Sequence, residues 1–162
     1  VKVYDLNLSD EIVAELESDI MMFYTGIKRS AIEVLRKQEQ QVALEDGRAI
    51  EKMHAIKRIG LESKRAIETG DLRRFGELLD EHWTLKRGVM SNMTNDRIDR
   101  WYAIAKENRA LGGKIMGAGG GGFLMIFSDE GKRALRLALA REGLVEYRFR
   151  FDFEGSKVVH NV

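Results

Sequence analysis

Cysteine and proline are both missing from the 162 residues. Without cysteine there is no disulfide, no thiolate metal site and no cysteine nucleophile. That absence also suits a cytoplasmic protein, which is the expected location. Without proline, helices can run long and no cis-proline turn is available. Histidine is scarce: His54, His82 and His160 show no metal-ligand spacing, so no metal ligands are expected in this chain. An excess of one charge is lacking too, because 27 Lys and Arg face 26 Asp and Glu for a net charge of +1. Counterion release needs a basic excess or a basic face, so no nucleic-acid partner is expected. No apolar run approaches the roughly 20 residues of a membrane-spanning helix, so no membrane partner is expected either. The chain opens at Val1 with no signal-peptide pattern, and methionine removal or excision from a longer chain accounts for that start.

Hydrophobic residues at 44% and charged residues at 33% describe a globular chain, and the length fits one domain over residues 1–162. Ser9-Asp10-Glu11 signals a helix start, with Ile12, Val13 and Leu16 as its apolar face. Ile20 to Thr25 is a short apolar run closed by Gly26, which predicts a buried strand. Helical spacing then runs from Lys28 to about Glu45 and from about Arg48 to Thr69, where Gly70 stops it. Asp71 caps the next helix, and Asn95 or Asp96 starts a further one carrying Ile98, Trp101 and Tyr102. Lys114-Ile115-Met116 and Phe123 to Phe127 read as two short strands. Ser128 is expected to cap a helix that Gly143 closes. From Val145 to Glu154, Tyr147, Phe149, Phe151 and Phe153 alternate with charged residues, predicting a last strand with one buried aromatic face. The order strand, helices, strand, strand, helix, strand is an α+β plan. It predicts a ferredoxin-like split βαβ antiparallel sheet, a multi-helix insertion in the first crossover, and helices on one face.

Glycine is concentrated in one place: Gly112, Gly113, Gly117, Gly119, Gly120, Gly121 and Gly122. Gly117, Gly119 and Gly122 satisfy G-x-G-x-x-G, but a dinucleotide site needs a helix after the turn, and an apolar strand pattern follows instead. A protein-kinase loop is excluded by the lack of H-R-D and D-F-G, and a P-loop by Ala118 where lysine would stand. A hairpin needs only two special residues, so four successive glycines are better used to turn backbone N–H groups toward an anion.

The stretch Gly112 to Phe123, G-G-K-I-M-G-A-G-G-G-G-F, resembles the third motif of the GHMP kinases, a family that includes galactokinase, homoserine kinase, mevalonate kinase and phosphomevalonate kinase. Phe23-Tyr24-Thr25-Gly26 with Arg29-Ser30, His82 to Arg87, and Ala110 to Lys114 are similar to the branch of bacterial heptose 7-phosphate kinases and fucokinase-like sugar kinases. Arg109 departs from that pattern, which has glycine before Ala-Leu-Gly-Gly. The resemblance runs from about Val3 to the C-terminus. It implies the C-terminal domain of an enzyme that moves the γ-phosphoryl group of ATP, with Mg²⁺, to a sugar or sugar-phosphate hydroxyl. Gly117, Ala118, Gly119, Gly120, Gly121 and Gly122 would then brace the nucleotide phosphates, with Thr25, Gly26 and Arg29 on the acceptor side. The family's serine-rich phosphate loop, metal ligands and catalytic aspartate belong to an N-terminal domain that has no counterpart here. No catalytic residue is therefore expected in this chain, and it should be inactive by itself. The alternative is a free-standing ligand-binding or regulatory module, and a homodimer is left open. Trp83, Trp101 and Tyr102 read as core, His82 as core or surface, Lys86 and Arg87 as helix-end cations, and Arg148 and Arg150 as a solvated face.

Overall fold

Local signals decide where most elements begin and end. Ser9 accepts a hydrogen bond from the Ile12 amide (3.4 Å) and starts α1 (Asp10–Asp19). Asp10 and Glu11 in its first turn suit the positive end of the helix dipole. The chain passes directly into β1 (Ile20–Tyr24), and Gly26 turns it away at φ 69°. The computed structural model describes residues 5–28, 36, 48–89, 93–117 and 119–157. The helix expected from Lys28 to about Glu45 lies, apart from Lys28 and Arg36, outside the described residues. α2 (Arg48–Glu68) stops at Gly70, φ 73°, and Asp71 caps α3 (Leu72–Val89) by accepting from the Arg74 amide at 3.1 Å. Asn95 caps α4 (Asp96–Glu107) through the Ile98 amide, also at 3.1 Å. β2 (Gly112–Met116), β3 (Phe123–Phe127), α5 (Lys132–Arg141) and β4 (Val145–Tyr147) complete the described order.

The four strands form one antiparallel sheet in the order β2-β3-β1-β4. That is the split βαβ arrangement the element order predicts. The expectation of helices on one face is corrected, because both faces are covered. Leu124 and Ile126 of β3 join Met21, Phe23 and Ile115 in a core under α4 and α5. Met125 and Phe127 join Leu16 of α1 with Leu72 and Leu79 of α3 on the other side. Phe123 to Phe127 carries no alternating polar residue, which is the mark of a strand buried on both faces.

Two further expectations change. The last strand ends at Tyr147 rather than near Glu154, and its aromatic residues are not a buried face: Tyr147, Phe151 and Phe153 are 51%, 41% and 79% exposed. The reason lies in its partner. β4 pairs only with β1, through Met22↔Tyr147, Phe23↔Glu146 and Tyr24↔Val145. Continuing it toward Glu154 would carry it, from Arg150 onward, past Ile20 to α1, whose backbone is already bonded within the helix. Glu17 of α1 instead accepts from the Phe151 amide (2.8 Å) and pairs with Arg150. Ser128 is likewise not the cap of α5. Gly131 is, at φ 67°, while the buried Ser128 hydroxyl donates to the Glu130 (2.5 Å) and Arg109 (3.2 Å) carbonyls.

Arg109, the departure from the resemblance, has φ 69°, in the region that favours glycine. Gly76 and Gly112 mark a different need, the close approach of α3 to β2. A Cβ on Gly112 would stand 2.2 Å from the Gly76 carbonyl oxygen and 2.6 Å from the Asp80 nitrogen. The two sites predict opposite signs. Arg109→Gly should raise stability by about 1 kcal/mol by relieving the left-handed conformation. Gly112→Ala should lower it by roughly 3 kcal/mol, since only backbone movement relieves the clash. Urea unfolding midpoints of the two variants check both.

Candidate functional site

The glycine run is the connection between β2 and β3. Gly117, Gly119, Gly120 and Gly122 take φ values of 103°, 101°, 68° and 91°. A non-glycine residue in such a conformation costs on the order of 1–2 kcal/mol, so four together call for glycine. Packing adds a second demand. A Cβ on Gly119 would meet the Met93 sulfur at 2.6 Å, and one on Gly121 would meet the Ile27 carbonyl oxygen at 2.5 Å.

The loop is held from two sides. Thr25 donates to the Gly122 carbonyl with both its amide (2.9 Å) and its hydroxyl (2.7 Å), and the Gly122 amide donates to the Ile27 carbonyl (3.0 Å). On the other side the Gly120 amide donates to the Met93 carbonyl (2.9 Å), and the Asn95 side-chain amide donates to the Gly120 carbonyl (3.3 Å). The expected row of outward donors is therefore interrupted, because the Gly120 and Gly122 amides are engaged within the protein. Those of Gly117, Gly119 and Gly121 have no acceptor among the described residues. Ala118 and Arg29 lie outside the described residues.

Thr25 is buried, at 4% exposure, and its hydroxyl also accepts from the Ile27 amide (3.2 Å), so here it fastens the loop. Gly26 is exposed beside it. Sequence reasoning missed Met93 entirely, and it found Asn95 only as a candidate helix start. The cap was legible in Asn95-Asp96, but the contact with Gly120 spans 25 residues and left no local signal.

Beside the run lie two lysines and a histidine. His82 and Lys86 stand one turn apart on α3, and Lys114 is on β2. All three are half-buried. Burial first, then Lys114 and Lys86, push the His82 imidazole down to about 4. Burial holds the Lys86 ammonium below its usual range, and burial followed by Lys86 does the same to Lys114. Nearby acids are otherwise engaged. Asp80 accepts from the Tyr102 hydroxyl (2.5 Å) and pairs with Lys106 (3.1 Å), while Asp99 pairs with Arg87 (2.8 Å). Burial and Asp80 hold the Tyr102 phenol well above its ordinary range. Trp83, Trp101 and Tyr102 are buried in the core, as their spacing implies, and Arg148 and Arg150 are exposed.

A cavity of about 400 Å³ opens elsewhere, between α1, α5 and residues 146–150. Three of its four cations, Lys132, Arg136 and Arg150, are matched by Asp19, Glu146 and Glu17, while Arg148 has no ion pair among the described residues. Among the described residues no three His, Asp or Glu side chains gather where a metal ion could sit, and no helix is long and apolar enough to cross a membrane.

Known proteins resemble this chain in sequence and in fold. The family model for the C-terminal region of GHMP kinases matches residues 63–143. A D-glycero-alpha-D-manno-heptose 7-phosphate kinase of Campylobacter jejuni is 33% identical over 158 residues, which are 97% of this chain and 46% of that protein. The chain thus spans about half the length of that relative. The structure of L. major mevalonate kinase in complex with R-mevalonate matches with a TM-score of 0.72 at 19% identity, over 79% of this chain and 41% of that one. A D-glycero-D-manno-heptose 1-phosphate kinase from Bacteroides thetaiotaomicron matches with a TM-score of 0.61 at 25% identity, over 93% and 38%.

Two measurements test this geometry. Thr25→Val keeps the shape and removes the hydroxyl, so it should cost about 1–2 kcal/mol and speed amide exchange at Gly122, while Thr25→Ser should retain most of the protection. His82 bears on acid stability. Between pH 6.5 and about 4 the unfolded chain takes up a proton that folded His82 refuses, so stability falls as pH drops through that window. Melting temperatures of a His82→Gln variant should fall less over the same interval than those of the unaltered chain.

Proposed function

The chain belongs to the C-terminal domain family of the GHMP kinases, and from that premise we propose that it is one domain, residues 1–162, of an ATP-dependent sugar kinase. Its acceptor is a sugar phosphate of the heptose phosphate type, and the protein works in the cytoplasm. The catalytic N-terminal domain, with the base and the Mg²⁺ ligands, lies outside this sequence. The observation that carries the reading is the glycine hairpin. It is anchored at Gly120 and Gly122, while the amides of Gly117, Gly119 and Gly121 have no protein acceptor among the described residues.

The hairpin fits a nucleotide phosphate on its own terms. No atom of the described residues lies within 4 Å of where a Cβ on Gly117 would stand, which leaves room for an anion to approach the backbone there. Gly119 and Gly121 are buried, and a buried amide without an acceptor is costly unless a ligand supplies one. When bound, ATP supplies the γ-phosphoryl group that is transferred. The chain's own part is to hold and orient. Gly117, Ala118, Gly119, Gly120, Gly121 and Gly122 form the rim that receives the phosphates, its free amides pointing partial positive charge at them. Thr25 keeps that rim in place, and Gly26 with Arg29 receives the acceptor. Fixing both substrates reduces the entropy of bringing them together, which is most of what a phosphoryl-transfer enzyme contributes.

Reconstitution tests the proposal. The 162-residue chain should give no sugar-dependent ATP turnover above a heat-killed control, and fusion to the N-terminal portion of the Campylobacter relative should give it. In the active fusion, Arg29→Ala should raise KM for the phosphorylated sugar roughly tenfold to a hundredfold, as expected for one lost charge-assisted contact. KM for ATP should move little. Turnover by the chain alone, or a silent but folded fusion, overturns the reading.

A further inference from the structure

The two lysines and the histidine beside the hairpin are not explained by the glycine loop. On α3, His82 and Lys86 are four residues apart and so share a helix face. On β2, Lys114 lies two residues beyond Gly112 and therefore on the same sheet face. That face is the one α3 covers, because the Gly112 position abuts the Gly76 carbonyl and the Asp80 amide. The three side chains thus gather between one helix and one strand, where Lys86 and Lys114 each bear on the charge of His82.

No ion pair or hydrogen bond joins any of the three to a carboxylate among the described residues. Asp80 serves Tyr102 and Lys106, Glu81 serves Arg74, and Asp99 serves Arg87. Across the sheet, Lys114 stands opposite the apolar Met125. Surface lysines ordinarily extend into water, whereas these two are half-buried beside each other and lose hydration for no internal return. An arrangement that costs the fold and faces no internal anion is suited to an external one. Its position agrees with that, since β2 enters the glycine run three residues after Lys114.

We propose that Lys86, Lys114 and His82 form a subsite for a phosphomonoester dianion, distinct from the backbone donors of the glycine hairpin. The two ammonium groups match the charge of such a phosphate, and the imidazole adds a neutral N–H donor. The shared chemistry is a terminal phosphate, carried by a phosphorylated sugar or by a nucleotide. The assignment does not rest on the kinase reading, because it concerns binding by this chain alone.

Thermal unfolding of the 162-residue chain with inorganic phosphate, against sodium chloride of equal ionic strength, is the first test. Phosphate at a hundredfold excess over its Kd should raise Tm by roughly 5–10 °C. Lys86→Met and Lys114→Met keep the apolar stem and remove the charge. Each should melt at or above the unaltered chain without phosphate, and should lose most of the lift with it. Arg29→Ala should keep the lift, which separates this subsite from the acceptor contact proposed above. Calorimetric titration with mannose 6-phosphate and with ADP then assigns the source. The true class should bind at least tenfold more tightly than inorganic phosphate and lose that margin in Lys114→Met. A Tm indifferent to phosphate, or methionine variants that melt several degrees lower, would overturn the subsite. So would binding of neither organic phosphate above inorganic phosphate, which would mark an adventitious ion only.

Discussion

Thr25 gives two hydrogen bonds to one carbonyl, that of Gly122, and the glycine loop takes its shape from that double tie. β1 and β3 pair as far as Tyr24↔Phe123, and the Thr25 amide then continues the ladder into the loop. The return bond from the Gly122 amide to Ile27 closes a ring around the turn. Six residues with five glycines would otherwise lose much backbone freedom on ordering, at about 1–2 kcal/mol each. Here the sheet supplies the bonds that offset that loss. The amides of Gly117, Gly119 and Gly121 are left without an acceptor among the described residues.

The second side of the loop connects it to α4. Asn95 caps that helix with its carbonyl oxygen and reaches Gly120 with its amide group, so the helix start and the hairpin are positioned together. Met93 packs where a Cβ on Gly119 would be, and its carbonyl takes the Gly120 amide. One short segment therefore ties the core under α4 to the rim of the candidate site. A change in the packing of α4 is felt at the loop through two hydrogen bonds and one methionine.

Charge is distributed unevenly across this framework. Arg100 with Glu142, Arg136 with Glu146 and Arg74 with three glutamates are satisfied at the surface, where such pairs contribute little individually. His82, Lys86 and Lys114 have no such arrangement and are less hydrated than those surface groups. Local conflict of this kind is tolerated where a site needs it. It stands beside the glycine run, since β2 enters that run three residues after Lys114.

The amino-acid sequence by itself determined the element types, the strand–turn–strand setting of the glycines and the family. Caps at Ser9, Asp71 and Asn95, stops at Gly70 and Gly143, and the apolar run Phe123 to Phe127 act within a few residues, so they are readable one by one. The strand after the glycines excluded a dinucleotide loop for the same reason. Tertiary structure decided the rest. Tyr147, Phe149, Phe151 and Phe153 alternate as a strand should, but a strand needs a partner, and from Arg150 onward the opposite positions belong to α1 rather than β1. Nothing local to Thr25 showed that its hydroxyl would reach the Gly122 carbonyl, 97 positions away. Lys86 read as a helix-end cation and Lys114 as part of a short strand, and only the close contact at Gly76 and Gly112, which lays α3 over β2, brings them together. Hydrogen bonds and Coulomb forces act through space, and separation along the chain carries no record of which groups folding will bring together.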